Sequence, residues 1–328
     1  MRIVAAIIIL WFTPLWADAQ PSDLLRLFPD DVEVVITAEI KSTLETPAAK
    51  LLLDETDLYT FVEQIALAQI DDKEELRKFP YRAFLKRLIA ATERAAVAVK
   101  FGEPQGFAPS FDSGLLVLEG KYNVERMKNE IQLLAENASH DVEIVGNRIA
   151  LRRIDGQKPD AEMMLLSDSL VLFGMPVSTA IAEKRVSNAH VTTTGALGLI
   201  RKHEPTKHAL CAVFEANPDG KATNIPVDSF VAFLDVGKQV VTKTTTIFQT
   251  DEAAREQSPS ALSVYSEAAD HFAHLAISKS LRQANATTTG KTIETTLKIP
   301  IRELAATVEQ LLEGKQREHA PPPSKTRD

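Results

Sequence analysis

A chain of 328 residues, 45% hydrophobic and 25% charged, has an ordinary globular composition and is long enough to bury one large core or two packed halves. Its net charge of −8, with no dense Lys/Arg run in the body, argues against nucleic acid as a partner, because neutralising phosphates takes a basic face. A single cysteine, Cys211, excludes an intramolecular disulfide, so packing alone must hold the fold.

Residues 1–19 read as a signal peptide. Arg2 is followed by a run from Ile3 to Trp16 that is apolar except for Thr13, and Ala17, Asp18 and Ala19 supply a cleavage site. The run is shorter than the roughly 20 apolar residues that span a bilayer as a helix. Cleavage after Ala19 is the expectation, delivering a periplasmic or secreted protein with no stable membrane span. An uncleaved anchor extended by Trp11, Phe12 and Trp16 is the alternative. No cysteine stands near the cleavage site, so a lipid-modified start is not expected.

The mature chain opens on "LLRLFPDDVEVVITAEI", a Pro-Asp-Asp turn before a β-branched run from Val32 to Ile40, and "TLETPAAKLLL" then reads as a helix. Between Asp54 and Thr92 the apolar spacing is helical, with Pro80 as a breaker. Next, "RAAVAVKF" and "SGLLVLEG" are strands flanking a Pro/Gly loop. "NVERMKNEIQLLAENA" is an amphipathic helix with Asn123 as its N-cap, and "VEIVGNRIALRRI" is a hairpin whose Gly146 supplies positive φ. "AEMMLLSDSLVLFG" repeats the hairpin theme with a turn near Ser167 and Asp168.

In the second half, "KHALCAVFEA" is a strand and "SFVAFLDVGKQVVTKTTTIFQ" a hairpin about Gly237. A helical region from Ser260 to about Gln283 follows. "TTTGKTIETTLKIP" then alternates Ile293, Thr295, Leu297 and Ile299 on one face, before a helix ending at Gly314. Strands and helices come in blocks joined by local turns, which favours antiparallel pairing over a doubly wound parallel sheet. The fold class expected is α+β, mainly antiparallel sheet with helices on one face, in two related halves covering 20–205 and 206–314. The Pro-rich charged tail 315–328 is expected to be disordered.

Candidate chemistry is sparse. Glu267, His271 and His274 fall at i, i+4 and i+7, ligand types that suit Zn²⁺, yet the apolar face set by Leu262, Tyr265, Ala269 and Phe272 leaves that stripe pointing away from the core as an exposed polar surface. Cys211 lies in a strand with His203, Glu204 and His208 nearby; a strand-interior thiol reads as a small buried hydrophobe rather than a nucleophile. No Gly-x-Ser-x-Gly elbow and no phosphate-cradling Gly-x-x-x-x-Gly-Lys occurs, so no catalytic residue is assigned and neither a nucleotide nor another cofactor is expected. The acids of "DDKEEL" read as a first helical turn, and Asn137 and Asn285 match glycosylation acceptors that matter only in a eukaryotic secretory host. The Thr-rich strands read as a half-buried sheet surface.

"LFPDDVEVVITAEIKSTLETPAAKLL" resembles the mature start of uncharacterised exported bacterial proteins, and "GKTIETTLKIPIRELAATVEQLL" is similar to the C-terminal part of that group. The resemblance implies an envelope-associated location and supplies no active site. The function expected is non-enzymatic binding of a partner protein or an apolar ligand outside the cytoplasm. The alternative is an exported hydrolase whose site is assembled from residues distant in sequence.

Overall fold

A computed structural model of the chain describes residues 22–55, 81–102, 111–136, 140–153, 161–186, 192–215 and 226–318. Residues 1–21, the stretch 56–80 read above as helical with its "DDKEEL" run, Asn137 and the tail beyond residue 318 lie outside them.

Chain-neighbour strands pair through short turns wherever the turn chemistry allows, and here that rule builds one twelve-stranded sheet, every described pairing being antiparallel. The elements in chain order are α1 (Ser22–Leu25), β1 (Val34–Glu39), α2 (Ile40–Leu44), α3 (Pro47–Glu55), α4 (Tyr81–Ala91), β2 (Thr92–Phe101), β3 (Phe111–Gly120), α5 (Val124–Glu136), β4 (His140–Val145), β5 (Arg148–Arg153), β6 (Ala161–Ser167), β7 (Leu170–Gly174), α6 (Pro176–Val186) and α7 (Gly195–Lys202). A 3₁₀ turn (Pro205–Lys207) leads to β8 (Leu210–Glu215), β9 (Val227–Val236), β10 (Gln239–Phe248), α8 (Asp251–His271), α9 (Ser278–Leu281), β11 (Asn285–Thr289), β12 (Thr292–Pro300) and α10 (Ile301–Glu318). Across the sheet the order is β11-β12-β10-β9-β8-β1-β2-β3-β7-β6-β5-β4. The fold is thus α+β on an antiparallel sheet.

Alternation along each strand sorts side chains onto two faces. On the helix-rich face, α5 buries Met127 and Ile131 against Leu118, Ile149, Leu165 and Val171 in the first half. On the same face of the second half, α3, α8, α9 and α10 bury Ala48, Ala269, Leu281 and Ile301 against Leu210, Leu234, Val240, Leu297 and Ile299. The opposite face carries helices over its first half: Phe28 just after α1, Ala182 of α6 and Leu197 and Ile200 of α7 pack on Val35, Ala98, Val117, Leu172, Cys211 and Val213. β1 and β8 pair at the middle of the sheet, so this core ties both halves together.

The two halves trace the same path. Three strands (β1-β2-β3, β8-β9-β10) lead into a helix on the helix-rich face (α5, α8), and a later hairpin returns its last strand beside the third (β7 on β3, β12 on β10). Local bonds repeat as well. Asn123 Oδ1 accepts from Arg126 N at 2.9 Å to cap α5, and Thr250 Oγ1 accepts from Ala253 N at 3.1 Å to cap α8. Gly120 N donates to Ser169 O at 3.0 Å, and Phe248 N to Lys291 O at 2.9 Å, so each returning turn docks on the end of the third strand. Among the described residues the halves also differ: α2, α3 and α4 stand between β1 and β2, the first half inserts the β4–β5 hairpin outside β6, and α6 and α10 lie on opposite faces.

Several elements depart from the sequence reading. "TLETPAAKLLL" is two helices, broken at Glu45 and Thr46, where Thr46 Oγ1 accepts from Ala49 N at 3.1 Å. α8 starts at Asp251, just after its Thr250 cap and nine residues before Ser260, and stops at His271 before a turn and α9. "TTTGKT" is a hairpin turn, Gly290 taking φ +56° between β11 and β12, and α10 runs past Gly314. Threonine hydroxyls occur on both sheet faces. Thr295, with Thr244 and Tyr265 as hydrogen-bond partners, stands under α8, whereas Thr287 and Thr289 are exposed.

Candidate functional site

One end of the sheet gathers the charged groups. Glu39 closes β1, Arg94 lies opposite it on β2, and Glu119 lies opposite Arg94 on β3, so the three form one cross-strand row on the face opposite α5. Arg94 donates through its guanidinium to Glu119 Oε2 and is itself buried. Glu39 is 8% exposed. Burial pushes its carboxyl up to about 7; Arg94 opposes that shift and the Glu119 charge adds to it.

A β-bulge brings more charge to the same end. Thr92 pairs with Gly120 and Arg94 with Glu119, which leaves Glu93 as the extra residue on β2. Lys41 Nζ donates to Glu93 Oε1 at 2.9 Å, and that hydrogen bond holds the Glu93 carboxyl below its usual range; Lys121 Nζ approaches to 3.8 Å. Behind them Tyr122 is buried and donates to Thr92 Oγ1 at 3.0 Å, its phenol pushed up to about 12 by burial.

Two adjoining depressions open here. The larger, about 750 Å³, is lined by Glu93, Glu119, Gly120, Lys121, Tyr122, Asn123 and the β6–β7 turn Ser167, Asp168 and Ser169. The smaller, about 610 Å³, shares Tyr122, Asn123, Ser167 and Asp168 and adds Val124, Glu125, Asn147 and Leu165. Both lie in the range of small-ligand sites, and their walls mix hydroxyls, amides and carboxylates with apolar surface. Of the carboxylates in these walls, Glu93 is paired with Lys41, Glu119 with Arg94 and Glu125 with Lys128 at 3.1 Å; with Lys121 also in the wall the charges nearly balance, and Asp168 at the β6–β7 turn is the carboxylate with no ion pair among the described residues.

A second polar cluster lies at the same end of the sheet, beyond β8. His208 Nδ1 stands 2.9 Å from Asp235 Oδ1, and the His208 ring lies over Phe233 with centroids 4.3 Å apart; His203 meets the same ring edge-on at 5.5 Å. Burial lowers the His203 pKa, with the His208 and Lys202 charges adding to the shift. Cys211 pairs with Phe233 in the sheet, fully buried, its thiol pushed up to about 12 by burial. The histidines near Cys211 in sequence therefore serve Phe233 and Asp235. Glu204 bonds Lys207 across the 3₁₀ turn.

Glu267, His271 and His274 are all exposed. α8 ends at His271, whose ring meets Phe272 at 4.9 Å, and His274 lies past that end. Among the described residues no three His, Cys, Asp or Glu side chains are grouped to hold a metal ion. No helix among them is long and apolar enough to cross a membrane.

The row Glu39, Arg94, Glu119 was not foreseen from the sequence. Its members sit in "TAEIK", "TERAAV" and "VLEG" as ordinary charges at strand ends, and only register makes them neighbours. The β6–β7 turn and the Asn123 cap were legible as local structure; that they wall one groove was not. Compared with known families, with characterised proteins and with solved structures, the chain matches none.

Proposed function

We propose that the chain is an exported, non-enzymatic binding protein that takes a polar, basic portion of a partner protein into the groove between β3, α5 and the β6–β7 turn. The groove itself carries the reading: it is open, of ligand size, and lined by carboxylates, amides and hydroxyls, among them Asp168, which has no ion pair among the described residues. Such a lining can receive an ammonium or guanidinium group at Asp168 while the apolar parts of the wall pack on its alkyl stem, whereas a wholly apolar ligand would strip water from the polar groups without replacing their hydrogen bonds. The exported location rests on the leader-like residues 1–19.

An exported hydrolase is the second reading, favoured by Glu39, whose carboxyl near 7 lies in the range of a general acid. It ranks second because Glu39 is 8% exposed and is not among the residues lining the groove.

The test is calorimetric titration of the purified protein with a tetralysine peptide at low salt. Saturable binding weakened about threefold to tenfold by Asp168→Asn, and further by Glu93→Gln, is the expected result. Heat that stays at the dilution level up to millimolar peptide removes the proposal.

A further inference from the structure

The shared path of the two halves makes β11 the counterpart of β6, each being the strand just outside the returning strand that lies beside the third. The outer edge of β6 is occupied, since β5 pairs with it from Arg148 opposite Met164 to Leu151 opposite Ala161. The outer edge of β11 has no strand paired to it among the described residues. We infer that the edge of β11 is a strand-addition site, which takes an extended segment of a partner protein with apolar side chains at alternate positions, in the place that β5 fills in the first half.

The composition of the edge fits that role. Natural edge strands guard against added strands with charge, proline or a bulge. β11 is Asn-Ala-Thr-Thr-Thr, with none of these over its five residues, and pairs in unbroken register with β12. Its threonines favour extended backbone. The overlying helix points the same way. In the first half, Ile149 of the added strand is buried in the cluster beneath α5. In the second half, α8 lies on β11 through Ser258, whose hydroxyl meets Thr288 Oγ1 at 2.6 Å, and Leu262, one turn further along the same side of α8, is left exposed at 38%. An incoming strand with alternate apolar side chains would place one set of them on the α8 side and the other set toward solvent.

A partner segment fits better than a second copy of the chain. Five residues at about 3.4 Å each give an edge of roughly 17 Å, which at a strand spacing of about 4.8 Å covers on the order of 100 Å², enough for peptide addition but far below the roughly 800 Å² per partner of a stable dimer. The site is separate from the groove at the opposite half, so either can fail without the other.

The probe is a fluorescein-labelled peptide of residues 147–153 with each arginine replaced by glutamine (NQIALQQ), which offers the groove no cation, read by fluorescence polarisation against the full mature chain in 0.15 M salt. Micromolar binding is expected, lost about tenfold or more when alternate peptide nitrogens are methylated, which keeps every side chain and charge while deleting backbone donors. Hydrogen exchange should slow at residues 285–289 on binding and stay unchanged at 119–123 and 167–169. Binding that survives methylation, protection confined to the groove, or no binding at 1 mM would each overturn the assignment. So would a dimer in sedimentation that protects 285–289 without peptide, since it would give the edge to a second copy.

Discussion

Glu39 shows how one residue's surroundings set its chemistry. A carboxyl at the end of a strand is ordinarily ionised at neutral pH, but this one is removed from water beside an arginine already bonded to Glu119. Its folded-state pKa of about 7 exceeds the unfolded value of 4.5, so the folded state holds the proton more tightly. The resulting stability is fully present below pH 4.5 and is lost as pH rises through 7. Glu39→Gln keeps the shape and deletes the titration. Relative to the parent it should unfold at nearly the same urea midpoint at pH 4.5 and be more stable by about 1 to 3 kcal/mol at pH 8.5. Equal shifts at both pH values would show that Glu39 does not titrate in this window.

At the scale of elements, the repeated joint between third strand and helix is the clearest device. Asn123 and Thr250 each accept from the backbone N–H three residues on, and each joint is sealed by a returning turn. Asn123→Ala and Thr250→Ala should each cost about 1 kcal/mol in denaturant midpoint. They should also add in the double variant within about 0.5 kcal/mol, because the two caps share no partner. Strong non-additivity would contradict separate joints. The Asn123 cap was legible from residue type and the start of helical periodicity, whereas the Thr250 cap, ten residues before the helix start read from the sequence, and the turns that dock on both joints were not. The β11–β12 hairpin escaped notice for a related reason: "TTTGKT" lacks a flanking apolar alternation on its first strand, which is polar on both faces.

For the molecule as a whole, the proposed export can be tested through residues 1–19. Both tryptophans, Trp11 and Trp16, lie within that stretch, while the four tyrosines follow. Cleavage after Ala19 therefore yields a protein with tyrosine emission and no tryptophan emission. A purified mature form that fluoresces near 350 nm, or whose N-terminal peptide still contains Trp16, would place the chain at the membrane instead. The central β1–β8 pair matters at the same scale. The core beneath α6 and α7 includes residues from both halves, so neither half buries its apolar surface alone.

From its own order of residues the chain determined antiparallel pairing, the two hairpins at Gly146 and Gly237, the Asn123 cap, the burial of Cys211 and the lack of nucleotide motifs. Each of these depends on neighbours within a few residues, where turn geometry, helix periodicity and side-chain type act directly. Tertiary structure decided which strand ends meet, and with them the Glu39–Arg94–Glu119 row, the groove beside it and the bare edge of β11. These depend on register between segments tens to hundreds of residues apart, which the packing of the whole sheet fixes and no local pattern encodes.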